Sequence, residues 1–384
     1  MTRRAFIWVT HLLGSGHLRR AAALARAVAA RGFEVRLVSG GQAVDHLALA
    51  GVEFVQLPPV ASADEGFRSL VDASGAPLDA EFRENRTRQL VDCLREHAPQ
   101  IVIFETYPFG RRQLEFELKP LLAAARAMRP RPVLISSIRD ILQARSPQLA
   151  GRMVAAARAH FARVMVHADP ALVRLEDSLP EASAIADLVC YTGFITETAP
   201  PPAISGPGSE IVVSTGGGAV GARLLRTALE ARALSTLGDA PWRLLAGRDL
   251  PDEEYSALRA CAPEGVSVER ARADFRSLLA QCRLSVSQAG YNTVMDVLLA
   301  GAPAVLVPYA GDGQTEQPLR ATRLAALGRA EIVRENELSA PALARAIDRA
   351  SRMARWPSAG FNMDGAAQGA RLIEDLAGPF GSES

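Results

Sequence analysis

Short apolar runs rich in β-branched residues alternate with longer stretches of helical periodicity from one end of the chain to the other. Residues 5–10, 34–38, 52–56, 100–104, 132–136, 163–166 and 188–191 read as strands, with helices such as 18–31 and 114–128 between them. The pattern stops near Gly193, where residues 196–209 carry three consecutive prolines and then Gly206-Pro-Gly208, a linker composition. Residues 210–215 restart a strand, followed by a glycine run and a helix at 223–233. Further strands fall at 242–246, 266–269, 284–287, 304–307 and 330–333, and the tail offers helices at 341–353 and 364–376. Strands separated by helices imply parallel sheets, so the fold class is α/β. Both halves open with strand, glycine turn and helix. The expectation is therefore two doubly wound, Rossmann-like domains facing across a cleft, each binding ligand outside the carboxyl ends of its strands. The expected organisation is a domain over 1–195, a linker over 196–209, a domain over 210–363, and a helix over 364–384.

Composition narrows this picture mainly by exclusion. The 384 residues are 48% hydrophobic and 22% charged, an ordinary globular balance. Forty-three basic against 42 acidic residues leave a net charge of +1. No global field recruits nucleic acid or an anionic membrane, and any affinity for phosphate must be local. Lys119 is the single lysine, so arginine supplies nearly all the positive charge. The cysteines, at 93, 190, 261 and 282, lie too far apart in sequence to suggest a disulfide scaffold or a zinc site. The most apolar segment, 297–308, is broken by Gly301 and Pro303. It falls short of the roughly 18 uninterrupted apolar residues of a membrane span. A protein of the cytoplasm is expected.

The first glycine turn, Thr10 to His17, holds Gly14, Ser15 and Gly16 between a strand and an amphipathic helix. Glycines let backbone approach an oxyanion, and a helix start offers free N–H groups. A nicotinamide enzyme would place an acid at the end of the second strand, but Ser39-Gly40-Gly41 stands there. His17 enters the helix where its ring can serve as a general base near neutral pH or merely organise the loop, and His11 is a lesser candidate. The histidines at 46, 97, 160 and 167 lie singly on presumed helices or strands and read as structural or solvated. The second turn, Ser214-Thr215-Gly216-Gly217-Gly218, makes a cradle suited to a pyrophosphate, with two hydroxyls as added donors. It lacks the Gly-Lys-Ser/Thr ending of a phosphate-loop ATPase.

Most information lies in residues 285–317. A strand ends at Ser287, a turn through Gly290 opens a helix, and Gly301 stops it before a strand that Pro308 ends. Gly290-Tyr-Asn-Thr-Val-Met-Asp296, Gly301-x-Pro303 and the pair Glu316-Gln317 resemble the donor half of GT-B glycosyltransferases. The likeness is to family 28, the peptidoglycan N-acetylglucosaminyltransferase family. Glu105-Thr-Tyr-Pro-Phe-Gly110 and Ser137-Ile-Arg139-Asp140 look like a less characterised branch related to it. The resemblance implies that Asp296 grips the nucleotide ribose diol, with aspartate where the family more often has glutamate. It further implies that Gln288, Ala289, Gly290, Asn292 and Thr293 surround the diphosphate and that Phe275 lies beside the base. Glu316 and Gln317 would hold donor-sugar hydroxyls, with Gln314 a competitor because the preceding loop is one residue longer.

The same resemblance implies transfer of a sugar from a nucleotide diphosphate, with uridine as the family's base, to an acceptor hydroxyl or amine with inversion. No Asp-x-Asp occurs anywhere in the chain. Metal-free catalysis is the expectation, with no cofactor and no metal ligands. Glycine-turn amides and helix dipoles would stabilise the leaving diphosphate. The base is assigned to His17, with Glu105 and Asp140 as substitutes. Arg139 could steady a charged acceptor, and Tyr107 could stack on an acceptor ring. The partners expected are a nucleotide sugar and a small-molecule or lipid-linked acceptor, with peripheral membrane contact through residues 60–70 an option. Rival readings are a nucleotide-sugar 2-epimerase or hydrolase, and a non-catalytic nucleotide-sugar-binding subunit. Oligomeric state is not legible.

Overall fold

The computed structural model describes residues 2–12, 14–63, 69–196, 208–216, 221–356 and 360–378. The chain divides into two compact units, Met1–Glu197 with Asn362–Ser384, and Thr198–Phe361. The first unit holds the strands β1 (Arg3–Val9), β2 (Phe33–Ser39) and β3 (Val52–Gln56) and a small hairpin of β4 (Ala61–Ser62) and β5 (Leu70–Val71). It continues with β6 (Ile101–Glu105), β7 (Val133–Arg139), β8 (Arg163–His167) and β9 (Val189–Tyr191). Its helices α1 (Gly16–Ala29), α2 (Ala80–His97), α3 (Glu115–Ala127) and α4 (Pro147–His160) are crossovers between strands. The main sheet runs β3-β2-β1-β6-β7-β8-β9, and every neighbouring pair in it is parallel.

A central parallel strand is covered on both faces, which is why β1 is an unbroken apolar run from Ala5 to Val9. Ala5, Ile7 and Val9 face α1, while Phe6 and Trp8 face the opposite cluster of Leu90, Phe104 and Leu118. The alanine-rich face of α1 admits a close neighbour, the last helix of the chain, which packs on it. That helix carries Gly369, where a Cβ would come 2.9 Å from Leu24 Cδ1. Phe194 N–H donates to Asn362 carbonyl at 2.8 Å and Gly365 N–H to Phe194 carbonyl at 3.0 Å, which ties this C-terminal segment to the first unit.

The second unit holds β10 (Ile211–Ser214), β11 (Trp242–Ala246), β12 (Val266–Arg270), β13 (Leu284–Ser287), β14 (Ala304–Leu306) and β15 (Glu331–Ile332), in the parallel order β12-β11-β10-β13-β14-β15. Around it lie α5 (Ala222–Arg232), α6 (Asp252–Ala260), α7 (Phe275–Gln281), α8 (Tyr291–Ala300), α9 (Glu316–Ala326) and α10 (Ala340–Ala350), and α11 (Gly365–Ala377) is the helix lying on α1. Gly301 ends α8 in the left-handed region at φ +61, where a Cβ would also collide with the Trp356 carbonyl oxygen. Both sheets are doubly wound. The order reverses between β1 and β6 in one and between β10 and β13 in the other, and ligands of such sheets bind outside the carboxyl ends at that reversal. Two corrections to the sequence reading concern single residues. His46 sits in an exposed turn at φ 56. The side chain of Tyr107 is part of the core with Phe104 and Phe161, so it presents no stacking face. Among the described residues no helix is long and apolar enough to cross a membrane.

Candidate functional site

In the first unit the reversal point brings together residues 88 apart in sequence. His17 is the second residue of α1, just after β1, and Glu105 is the last residue of the neighbouring β6. His17 Nδ1 lies 3.0 Å from both Glu105 carboxylate oxygens. Arg20, one turn along α1, donates to the same carboxylate, and Thr106 Oγ1 donates to it at 2.5 Å. Glu105 is 1% exposed. Burial opposes its charge, yet His17 and Arg20 hold it well below the usual carboxylate range. Arg20 Nη2, 3.1 Å from Nδ1, and Thr106 Oγ1, 3.3 Å from it, both donate to Glu105, and an ionised carboxylate only accepts hydrogen bonds, so the tautomer that satisfies the group carries the proton on Nδ1 and the lone pair on Nε2. Burial pushes His17 below its ordinary value against the pull of Glu105, and the charges of Arg111 and Arg20 work in the same direction as burial. Because Arg20 already neutralises Glu105, the pair is a neutral imidazole beside an ionised carboxylate. The His17 side chain remains 21% exposed.

This arrangement changes the part expected of Glu105. A carboxylate so enclosed orients and polarises His17 and is not placed to take a proton from an acceptor itself. Asp140, which follows β7, is fully buried, and Arg139 is the last residue of that strand. His11 is also buried, with Nδ1 unpartnered, and burial together with Arg111 lowers it. Gly41 abuts its ring and Gly40 abuts Arg86 and Thr10, so a side chain on either glycine would collide. This is the local reason that β2 ends in glycines and not in an acid. Gly14 takes the left-handed conformation at φ 58. Ser15 precedes the helix at the cap position and accepts from Arg19 Nε at 3.2 Å, and Gly16 is the first helical residue. Residues 64–68, within the segment considered for membrane contact, lie outside the described residues.

In the second unit, Ser214 and Thr215 are buried and their hydroxyls build the turn. Ser214 Oγ accepts from Gly216 N–H at 3.2 Å, and Thr215 Oγ1 accepts from Gly247 N–H at 3.1 Å. Gly216, at φ +70, comes close to α8, since a Cβ on it would lie 3.6 Å from Thr293 Oγ1. Gly217 and Gly218 lie outside the described residues. Neither α5 nor α8 has a side chain capping its N-terminus, and nothing stands within 4 Å of where a Gly290 Cβ would be. A helix start of this kind offers amide donors and positive dipole to an anion. A cavity of about 290 Å³ sits at these strand ends, lined by Gly221, Arg223, Gln288, Tyr309 and Glu335 among others.

The turn before α8 is held by two residues of α9. Gln317 Oε1 accepts from Ala289 N–H at 3.0 Å and from Tyr309 N–H at 3.1 Å, and buried Arg320 donates from Nη1 to the Ala289 carbonyl at 2.8 Å. Gln317 therefore spends its carbonyl on the backbone. Glu316 is the first residue of α9, Gln314 ends the preceding 3-10 turn, and Asn292 is exposed in the first turn of α8. Asp296 does not line the 290 Å³ cavity. It lies in the second turn of α8, 14% exposed, with Oδ1 accepting from Arg276 Nε at 2.5 Å. Arg276 follows Phe275 at the start of α7, which packs on α8, so Phe275 and Asp296 belong to one helix pair. Sequence reasoning missed Arg20, Arg276 and Arg320. Only Arg20 had a local signal, one helical turn beyond His17. Among the described residues no three His, Cys, Asp or Glu side chains are grouped to hold a metal ion.

Residues 211–372 match the glycosyltransferase family 28 C-terminal domain. Over nearly its whole length the chain is similar to enzymes named UDP-N-acetylglucosamine--N-acetylmuramyl-(pentapeptide) pyrophosphoryl-undecaprenol N-acetylglucosamine transferase. The one from Mesorhizobium japonicum is 27% identical over 96% of this chain and 93% of its own. That from Phenylobacterium zucineum is 29% identical over 94% and 96%. Among solved structures, Acinetobacter baumannii MurG superposes with a TM-score of 0.62 at 17% identity, covering 97% of this chain and 99% of that one. The calicheamicin glycosyltransferase CalG4 gives 0.60 at 17% identity, covering 99% and 96%. The chain is a nucleotide-sugar glycosyltransferase of the GT-B fold, and its C-terminal half is a family 28 domain.

Proposed function

We propose that the protein transfers N-acetylglucosamine from UDP-N-acetylglucosamine to an acceptor hydroxyl or amine, with inversion and without a divalent metal. The observation that carries the reading is the His17–Glu105 pair, at 3.0 Å, at the reversal point of the first sheet. The uncapped starts of α5 and α8 at the reversal point of the second sheet complement it. The second unit takes the donor. Amides ahead of α5 and α8 receive the diphosphate, Asp296 takes the ribose, and α9 presents Glu316 and Gln317 to the sugar. The first unit takes the acceptor. His17 Nε2 accepts the proton of the acceptor hydroxyl as its oxygen bonds to the anomeric carbon from the face opposite the leaving group. The bond from that carbon to the diphosphate oxygen breaks, and its electron pair leaves on UDP. Glu105 steadies the imidazolium that forms, and helix dipoles and amides meet the charge growing on the diphosphate. The relatives' names give their acceptors as lipid-linked, which makes a lipid-linked acceptor the first to try.

The test is thermal unfolding of the full chain with UDP, GDP, ADP and dTDP. A ligand bound only by the native form raises the melting temperature. UDP should give the largest rise, and UDP-N-acetylglucosamine should release UDP when a competent acceptor is added. No stabilisation by any nucleoside diphosphate at millimolar concentration overturns the proposal.

A further inference from the structure

The motifs Glu105-Thr-Tyr-Pro-Phe-Gly110 and Ser137-Ile-Arg139-Asp140 meet in the fold at Thr106, whose N–H donates to the Ser137 carbonyl at 2.7 Å. Successive side chains of a strand point to opposite faces, so the residue after Glu105 would ordinarily carry its hydroxyl away from the carboxylate. Thr106 instead takes the left-handed region at φ 67, where a β-branched side chain is rare, and its Oγ1 turns back to donate to Glu105 Oε2 at 2.5 Å. Each oxygen of the buried carboxylate then has its own donor, Arg20 Nη2 on Oε1 and Thr106 Oγ1 on Oε2, with His17 Nδ1 3.0 Å from both. The strained residue is held from β7, because Ser136 Oγ also donates to the Tyr107 carbonyl at 2.8 Å. Ser137 is fixed in turn. Its Oγ lies 2.8 Å from His167 Nε2, and His167 Nδ1 lies 2.7 Å from Thr192 Oγ1, with all three side chains buried. Thr192 Oγ1 donates to the Gly193 carbonyl at 3.2 Å, so it accepts from Nδ1–H, and Nε2 accepts from Ser137. Gly110 leaves room for the threonine methyl, since a Cβ there would stand 2.6 Å from Thr106 Cγ2. Backbone strain persists only where the surroundings over-determine it, and what it secures here is a hydrogen bond to the carboxylate that orients His17.

We propose that Thr106 is a positioning residue for the base. Its hydroxyl locks the Glu105 carboxylate against rotation about its last side-chain bond, and the locked carboxylate sets the direction in which His17 presents Nε2. With Arg20 alone, on Oε1, the carboxylate is free to pivot and the imidazole to follow it, so the donor on Oε2 leaves a single orientation. That His17 is the base rests on the function proposed above. The clamp on Glu105 does not.

The experiment compares Thr106→Val, Thr106→Gly and Thr106→Ser with the native full chain by two readouts. The first is the Nδ1 proton of His17 in the proton NMR spectrum, identified by its absence from His17→Ala. Held between nitrogen and carboxylate, it should lie far downfield and exchange slowly with water. The second is UDP release from UDP-N-acetylglucosamine with a competent acceptor. In Thr106→Val and Thr106→Gly the resonance should move upfield and exchange faster. Their kcat should fall roughly 10- to 100-fold, the size of a lost hydrogen bond to a charged group or of a small misplacement of a reacting one, with KM for the nucleotide sugar unchanged. Thr106→Ser keeps the hydroxyl and should retain the resonance and most of kcat. Glycine takes φ 67 without strain, so Thr106→Gly should melt above Thr106→Val and yet be no more active, which separates a lost hydroxyl from a disturbed backbone. If Thr106→Val does not fold, Thr106→Gly carries the test. An unchanged resonance or an unchanged kcat in Thr106→Gly, or a native protein without a downfield His17 proton, overturns the proposal. His17→Ala with native turnover sinks the base assignment, and the resonance alone then reads the clamp. Lost turnover in His17→Ala beside native behaviour of the Thr106 variants sinks this proposal and leaves the base standing.

Discussion

Replacing Asp296 by alanine separates two readings of one contact. The carboxylate is tied to Arg276 at 2.5 Å and both side chains are partly shielded, at 14% and 23% exposure. If the pair only pins α7 on α8, the loss is that of a partly exposed ion pair, about 0.2–1 kcal/mol of stability, with nucleotide affinity unchanged. If Asp296 grips the ribose, two hydroxyl hydrogen bonds to a charged acceptor disappear. Each is worth about 1.5–3 kcal/mol, and water recovers part of that at a partly open site. The net loss is then about 2–4 kcal/mol, or roughly 30- to 1,000-fold in the dissociation constant of UDP. Calorimetry with UDP and with its 2′-deoxy analogue makes the assay specific. The native protein should bind the deoxy analogue less tightly, and Asp296→Ala should bind the two alike. Arg276→Gln, which leaves the carboxylate but removes its orienting partner, should fall between. An Asp296→Ala variant that still prefers UDP over the deoxy analogue by the native ratio refutes the ribose role.

Three further outcomes test the rest. Glu105→Gln leaves Arg20, only 6% exposed, without its counter-charge, and should cost about 3–5 kcal/mol of stability by denaturant unfolding. It should also lower turnover, measured as UDP release, by roughly 10²- to 10⁴-fold, the range for lost general-base help, as should His17→Ala. Full turnover in His17→Ala would refute His17 as the base. Melting temperature should fall as pH drops from 7 towards 4. Burial lowers His17, and lowers His167 to about 3, so the unfolded chain, titrating near 6.5, binds more protons than the native one between those values. The depressed Glu105 adds stability above its unfolded pKa that is likewise lost on acidification. A flat profile contradicts this. Gly301→Ala, at φ +61 and against the Trp356 carbonyl, should destabilise the second unit by about 1–3 kcal/mol in denaturant unfolding, and a neutral result would show that the α8 terminus can relax.

The one-dimensional pattern determined the elements and the class of sheet, because strands covered on both faces must be apolar where they are buried, as Ala5–Val9 of β1 and Ile211–Val213 of β10 are, and because special backbone conformations select glycine, as at Gly301. It also marked the loops that carry chemistry, since strand-to-glycine-to-helix is itself local. What it could not supply is who meets whom across the sheet. His17 and Glu105 looked like rival bases until strand order set β1 beside β6 and made one the partner of the other. Tyr107 looked like a ligand platform until its ring went into the core. The arginines at 20, 276 and 320 had no meaning apart from Glu105, Asp296 and Ala289, which they reach from other turns or other helices. Periodicity is written in neighbours along the chain, whereas charge pairing and burial depend on neighbours in space, and only the folded packing of strands and helices specifies those.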